Sequence, residues 1–83
     1  MAQIVRTAKQ IAAAVRRRRR ALGLSQAGLG ERTKLRQATI SAIEGGAPGV
    51  RLGTLCDILA ALDLEFVVRP RTKGKPAAIE DIF

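Results

Sequence analysis

The chain has 83 residues, enough for one small domain, since chains of this length bury only about 60% of their unfolded surface. It contains no His, Tyr or Trp and a single Cys, Cys56, so disulfide scaffolds, zinc sites and Cys/His catalysis all lack their parts. The sequence therefore reads as a non-enzyme that uses no metal, no cofactor and no small-molecule substrate.

Lys and Arg number 15 against 7 acidic residues, a net charge of +8, which points to a polyanionic partner rather than to any particular fold. Most of that charge lies in residues 1–36, where ten basic side chains face one acid, Glu31, for a net +9. Residues 37–65 hold Arg51 against Glu44, Asp57, Asp63 and Glu65, for a net −3. Phe66 and Phe83 are the only aromatics, so the core must be aliphatic and no base-stacking platform exists. The longest apolar runs, such as Ile58–Leu62, fall far short of the roughly 20 residues that span a bilayer. The first 23 residues are Arg-rich and poor in acid, as a transit peptide is, but Arg16–Arg20 are contiguous rather than spread along one face, which argues against that reading.

Thr7 followed three residues later by Gln10 forms a capping-box pattern, and Ile11, Val15 and Leu22 then recur at helical spacing before Gly23; this predicts a helix over about Ala8–Leu22. Within it Arg19 falls on the apolar face, where a guanidinium needs a buried acceptor. Arg16, Arg17, Arg18 and Arg20 are expected on the hydrated outer faces. Ser25 is a good N-cap for a two-turn helix over Gln26–Arg32, weakened by Gly28 and Gly30. Thr33-Lys34-Leu35 make a break, and Gln37–Glu44 form a third helix with Ile40 and Ile43 inward, ended by Gly45-Gly46.

Beyond a loop at 47–50, Leu52, Leu55, Ile58, Leu59 and Leu62 lie on one stripe of a fourth helix, with Cys56 beside it as a small buried or half-buried thiol. Leu64, Phe66 and Val68 alternate with Glu65, Val67 and Arg69 before Pro70, which is strand periodicity. A solitary strand must find a partner or stay disordered as a mobile tail, and the nearest partner is the same segment of a second copy about a two-fold axis. Residues 1–69 thus form the domain, with 64–69 as a dimerisation strand, and 70–83 form a flexible tail. The tail ends in the apolar-acidic Ile79-Glu80-Asp81-Ile82-Phe83, which is either decoration or a docking peptide.

Ser25–Glu44 has the dimensions of a helix-turn-helix. Its second helix presents Arg36, Gln37, Ala38, Thr39, Ser41 and Ala42. Short side chains allow approach to a groove about 12 Å wide, Gln offers a donor and an acceptor, and Thr or Ala methyls suit thymine. An ordinary polar face of a small helical hairpin satisfies the same periodicity.

Leu22-Gly23-Leu24-Ser25-Gln26, Gln37-Ala38-Thr39-Ile40-Ser41-Ala42-Ile43-Glu44-Gly45 and the run Leu52 to Leu62 together resemble the Cro/C1-type (XRE) helix-turn-helix family. Over roughly residues 7–69, with the strand that follows, the chain is most similar to HipB-type antitoxins. The resemblance implies an all-α, four- to five-helix, lambda-repressor-like domain followed by one C-terminal strand pairing across a homodimer. It implies base reading by Arg36, Gln37, Ala38, Thr39 and Ser41, phosphate contact and bracing by Gln26, and an ion pair between Arg19 and Glu44. Arg16, Arg17, Arg20, Arg32 and Lys34 are further phosphate candidates. Gly30 stands where the family usually has Ala, and Lys34 where a turn Gly is usual.

The expected function is a bacterial, cytoplasmic repressor, nucleoid-associated when bound, whose homodimer reads a palindromic operator in double-stranded DNA. A HipA-like Ser/Thr kinase toxin would be its partner, with Leu64, Phe66 and Val68 pairing the protomers and Ile79, Ile82 and Phe83 docking the toxin. Two alternatives are a stand-alone phage-type repressor and an adaptor that no longer reads DNA. The +9 on residues 1–36 weighs against the adaptor, and the strand with its acidic-apolar terminus weighs against the phage repressor.

Overall fold

In the computed structural model, which describes residues 3–71, four α-helices follow one another: α1 (Ala8–Ala21), α2 (Gln26–Thr33), α3 (Gln37–Glu44) and α4 (Leu52–Ala61). Two begin on side-chain caps. Thr7 Oγ1 accepts the Gln10 N–H at 3.1 Å, while Gln10 Oε1 reaches back to the Arg6 N–H, and Ser25 Oγ accepts the Gly28 N–H at 2.9 Å. Each such cap is worth about 1 kcal/mol. α3 and α4 start at Arg36 and Arg51 without one.

All four helices end in the same way. The chain turns left-handed at Gly23 (φ 73°), Lys34 (φ 59°), Gly46 (φ 84°) and Asp63 (φ 57°). The residue after each donates its N–H to a carbonyl five positions back: Leu24 to Arg19, Leu35 to Gly30, Ala47 to Ala42 and Leu64 to Leu59, at 2.8–3.1 Å. These are Schellman closures, which satisfy carbonyls the helix leaves free and turn the next side chain inward. Leu24, Leu35 and Leu64 accordingly pack against the core. Lys34 and Asp63 make the turn without glycine, at a cost of about 1 kcal/mol or more each.

The core is aliphatic: Val15, Leu29, Ile40, Ile43, Ile58, Leu59 and Leu62 form one cluster. α3 packs on α1 and α2, and α2 packs on α4, so the two helices of the helix-turn-helix rest on a platform made by the other two.

Several expectations require correction. α1 and α4 each stop one residue early, because Leu22 and Leu62 are the cap residues of the left-handed turns; α2 runs one residue longer. Leu52 is 70% exposed, since it sits at the first turn of α4, and the buried stripe starts only at Leu55. Cys56 is exposed rather than buried. Residues 64–69 are extended coil outside any helix in the single chain, which offers no ladder partner to them. Leu64 is half-buried on the core, whereas Phe66, Val67 and Val68 are exposed. Ile79, Ile82 and Phe83 lie outside the described residues.

Gly30 has a packing reason. A Cβ added there would lie 2.7 Å from the Leu35 carbonyl oxygen, in the backbone of the turn that Lys34 makes. Gly30→Ala would gain helix propensity worth about 1 kcal/mol, but the backbone contact cannot be relieved by rotating a side chain. The expected net result is a loss of about 1–2 kcal/mol, the usual scale of overpacking, read by urea unfolding; an unchanged or raised midpoint would contradict it.

Candidate nucleic-acid interface

α3 is eight residues long, and a helix about 10–12 Å across matches a major groove about 12 Å wide. Ile40 and Ile43 are buried against the platform, and Glu44 is buried with them. The remaining surface is polar and small: Arg36, Gln37, Ala38, Ser41 and Ala42 are exposed and Thr39 is half-buried. Of the five residues expected to read bases, four are therefore fully presented and Thr39 lies at the edge. Among the described residues α3 carries no acid other than the buried Glu44, and no aromatic side chain blocks approach.

What orients α3 is the pair beneath it. Arg19 Nε donates to Glu44 Oε2 at 2.6 Å and Arg19 Nη2 to Oε1 at 2.9 Å, a two-pronged contact between side chains 9% and 3% exposed. Arg19 Nη1 also donates to the Leu24 carbonyl at 2.7 Å. The guanidinium that the helical spacing of α1 places on its apolar face thus ties α1, the α1–α2 turn and the end of α3 together. Hydrogen bonding to Glu44 raises the Arg19 pKa despite burial. Burial pushes the Glu44 carboxyl up, but the hydrogen bonds from Arg19 and Gln26, with the charges of Arg19 and Arg16, hold it below its ordinary value. Both groups stay ionised.

Gln26, at the start of α2, donates its Nε2 to Glu44 Oε1 at 3.4 Å, so it braces the end of α3. The arginine run divides in a way its sequence does not announce. Arg16 Nη1 donates to the Glu44 carbonyl at 3.3 Å and Arg18 Nε to the Leu62 carbonyl at 2.9 Å, where each caps the C-terminus of another helix. The expectation of hydration for both is corrected; half-buried, they complete backbone groups. Arg17 and Arg20 remain exposed on the outer face of α1. Arg32, Lys34 and Arg36 are also exposed, clustered around the α2–α3 turn. The Arg18 and Asp63 roles were not anticipated, because their partners lie far along the chain or in a turn with no glycine to mark it.

The geometry has known counterparts. Residues 10–71 match the family model described as a helix-turn-helix domain. Among solved structures, a HipB variant in an O2 20mer complex aligns over 90% of this chain and 100% of its own, with TM-score 0.77 and 29% identity. A HipB–O1–O2 complex aligns over 81% and 97%, with TM-score 0.75 and 30% identity. A chain of a HipA–HipB–O2–O3 complex aligns over 86% and 100%, with TM-score 0.79 and 28% identity. No curated protein matches the sequence.

Proposed function

Because the chain belongs to the helix-turn-helix domain family, as a HipB-like member of its XRE type, we propose that it is the DNA-binding antitoxin of a two-protein module. Its homodimer binds a palindromic operator through α3, represses transcription there and sequesters a HipA-like Ser/Thr kinase. The observation that carries this reading is the exposed, acid-free face of α3, anchored from below by the buried Arg19–Glu44 pair. Two such helices would enter successive major grooves about 34 Å apart.

The exposed Phe66, Val67 and Val68 support pairing of the 64–69 segments between protomers, since an isolated chain gains nothing by leaving three large apolar side chains in water. The kinase partner is supported by the resemblance to a chain of a HipA–HipB–O2–O3 complex. Ile79, Ile82 and Phe83 are proposed as its docking peptide, with the aromatic as anchor. Among the described residues no helix is long and apolar enough to cross a membrane, in keeping with work on DNA in the bacterial cytoplasm.

Specificity is tested at Gln37. Gln37→Ala should cost about 1–3 kcal/mol on the operator and relax preference at one base pair, leaving random duplex unaffected. Titrating both duplexes with both proteins reads this, and equal losses on the two would remove Gln37 from base reading.

A further inference from the structure

Arg18 is half-buried, and its Nε–H donates to the carbonyl of Leu62, the cap residue of α4, at 2.9 Å. That carbonyl belongs to the peptide that leads into Asp63, whose φ of 57° is left-handed. On the far side of Asp63, the Leu64 N–H is held by the Leu59 carbonyl at 2.8 Å. A residue that pays for an unfavourable backbone angle is thus clamped on both sides, and α1 supplies one of the clamps. Rotating the 62–63 peptide to relieve Asp63 would strip the guanidinium of this acceptor. The Asp63 carboxylate, 3.9 Å from Arg18 Nη2 and almost fully exposed, adds only a screened attraction.

The segment from Leu64 onward, as far as it is described, leaves α4 through this turn. Leu64 packs on the core, and Phe66, Val67 and Val68 stand in solvent directly behind it. We propose that Arg18 is a positioning residue for the C-terminal segment: by fixing the left-handed exit at Asp63 it sets the path of residues 64–69 and so the geometry in which two copies pair. The first half of this statement concerns one chain; the second rests on the homodimer reading above. The arginine run then serves three tasks at neighbouring positions. Arg19 seats α3, Arg18 aims the dimerisation segment, and Arg17 and Arg20 face outward.

The test uses the full chain with Arg18→Met, which keeps the aliphatic stem, and Arg18→Met combined with Asp63→Gly, which removes the backbone strain. Leu64 amide exchange reads the exit in a single chain. It should accelerate about 10- to 100-fold in Arg18→Met, the equilibrium value of one hydrogen bond to a charged group, while the amides of α1 to α3 keep their wild-type protection. Glycine at 63 should restore much of the protection, a rescue that a merely structural loss in the core would not show. Analytical ultracentrifugation reads the pairing. The dimer dissociation constant should rise about tenfold or more in Arg18→Met, because the pairing-competent path is diluted in both protomers, and fall back in the double variant.

Unchanged Leu64 exchange, or acceleration spread evenly over all four helices, would overturn the assignment of Arg18. A wild-type protein that stays monomeric would overturn the homodimer reading instead, with the Leu64 exchange still judging Arg18. A wild-type dimer whose affinity ignores Arg18→Met despite faster exchange would overturn the link between exit and pairing.

Discussion

Glu44→Ala is expected to remove about a third or more of the domain's stability and to lower its urea midpoint steeply. Removing one partner of a buried ion pair costs about 3–5 kcal/mol, because the remaining charge has neither solvent nor counter-ion. A chain of this size has only about 4–12 kcal/mol of stability in total. Arg19 would keep the Leu24 carbonyl as an acceptor but lose both carboxylate contacts. Arg19→Met with Glu44→Leu should be far milder than Glu44→Ala alone, since the pair's attraction barely exceeds the desolvation of its members. Chemical unfolding of the three proteins reads the contrast. If Glu44→Ala cost less than about 1 kcal/mol, the pair would be behaving as a solvated surface contact.

The same pair gives stability a pH dependence of definite sign. The folded state holds the Glu44 carboxyl below its ordinary value, so the folded chain binds its proton less readily than the unfolded chain. The stabilisation is fully present above the unfolded value of about 4.3 and is lost progressively as pH falls through the lower folded value. Unfolding midpoints should be flat from neutrality to about pH 5 on this account and decline below. Glu44→Gln should flatten the acid limb.

How much of this was legible beforehand depends on the distance over which each residue acts. Thr7, Ser25, Gly23 and Gly46 declare helix ends through local chemistry, and the spacing of Ile40, Ile43, Leu55, Ile58, Leu59 and Leu62 gives the buried faces directly. Arg19 is legible for the same reason, since its burial follows from its place in α1; that Glu44 answers it came from resemblance. Arg16 and Arg18 are different, because their acceptors are carbonyls 28 and 44 residues away and a carbonyl leaves no mark in sequence. The left-handed turn at Asp63 lacks the glycine that signals such a turn at Gly23 and Gly46. Leu52 misleads because periodicity extends a stripe into the first turn of α4, past the point where any other helix covers it. The apolar alternation at 64–69 is plain, but within one chain no neighbouring segment answers it.

Salt should weaken operator binding by about a thousandfold to a hundred-thousandfold between 50 and 200 mM, the fall expected when a dimer releases counter-ions from roughly 6–10 phosphates. The division of the arginine run makes this prediction residue-specific. Arg17 and Arg20 are exposed, so each alanine substitution should lower the slope of log affinity against log salt by about 1 per protomer if its guanidinium meets a phosphate. Arg32, Lys34 and Arg36, grouped at the α2–α3 turn, should behave alike, with Arg36 also affecting base preference. Arg18 is turned inward by its Nε–H bond to the Leu62 carbonyl, with Nη2 beside Asp63, so Arg18→Met should change the dimer equilibrium while leaving the slope per bound dimer as it was. A slope that fell equally for Arg17, Arg18 and Arg20 would mean that the run acts as undifferentiated charge. A slope that fell for none of them would place the backbone contacts on α2 and α3 alone.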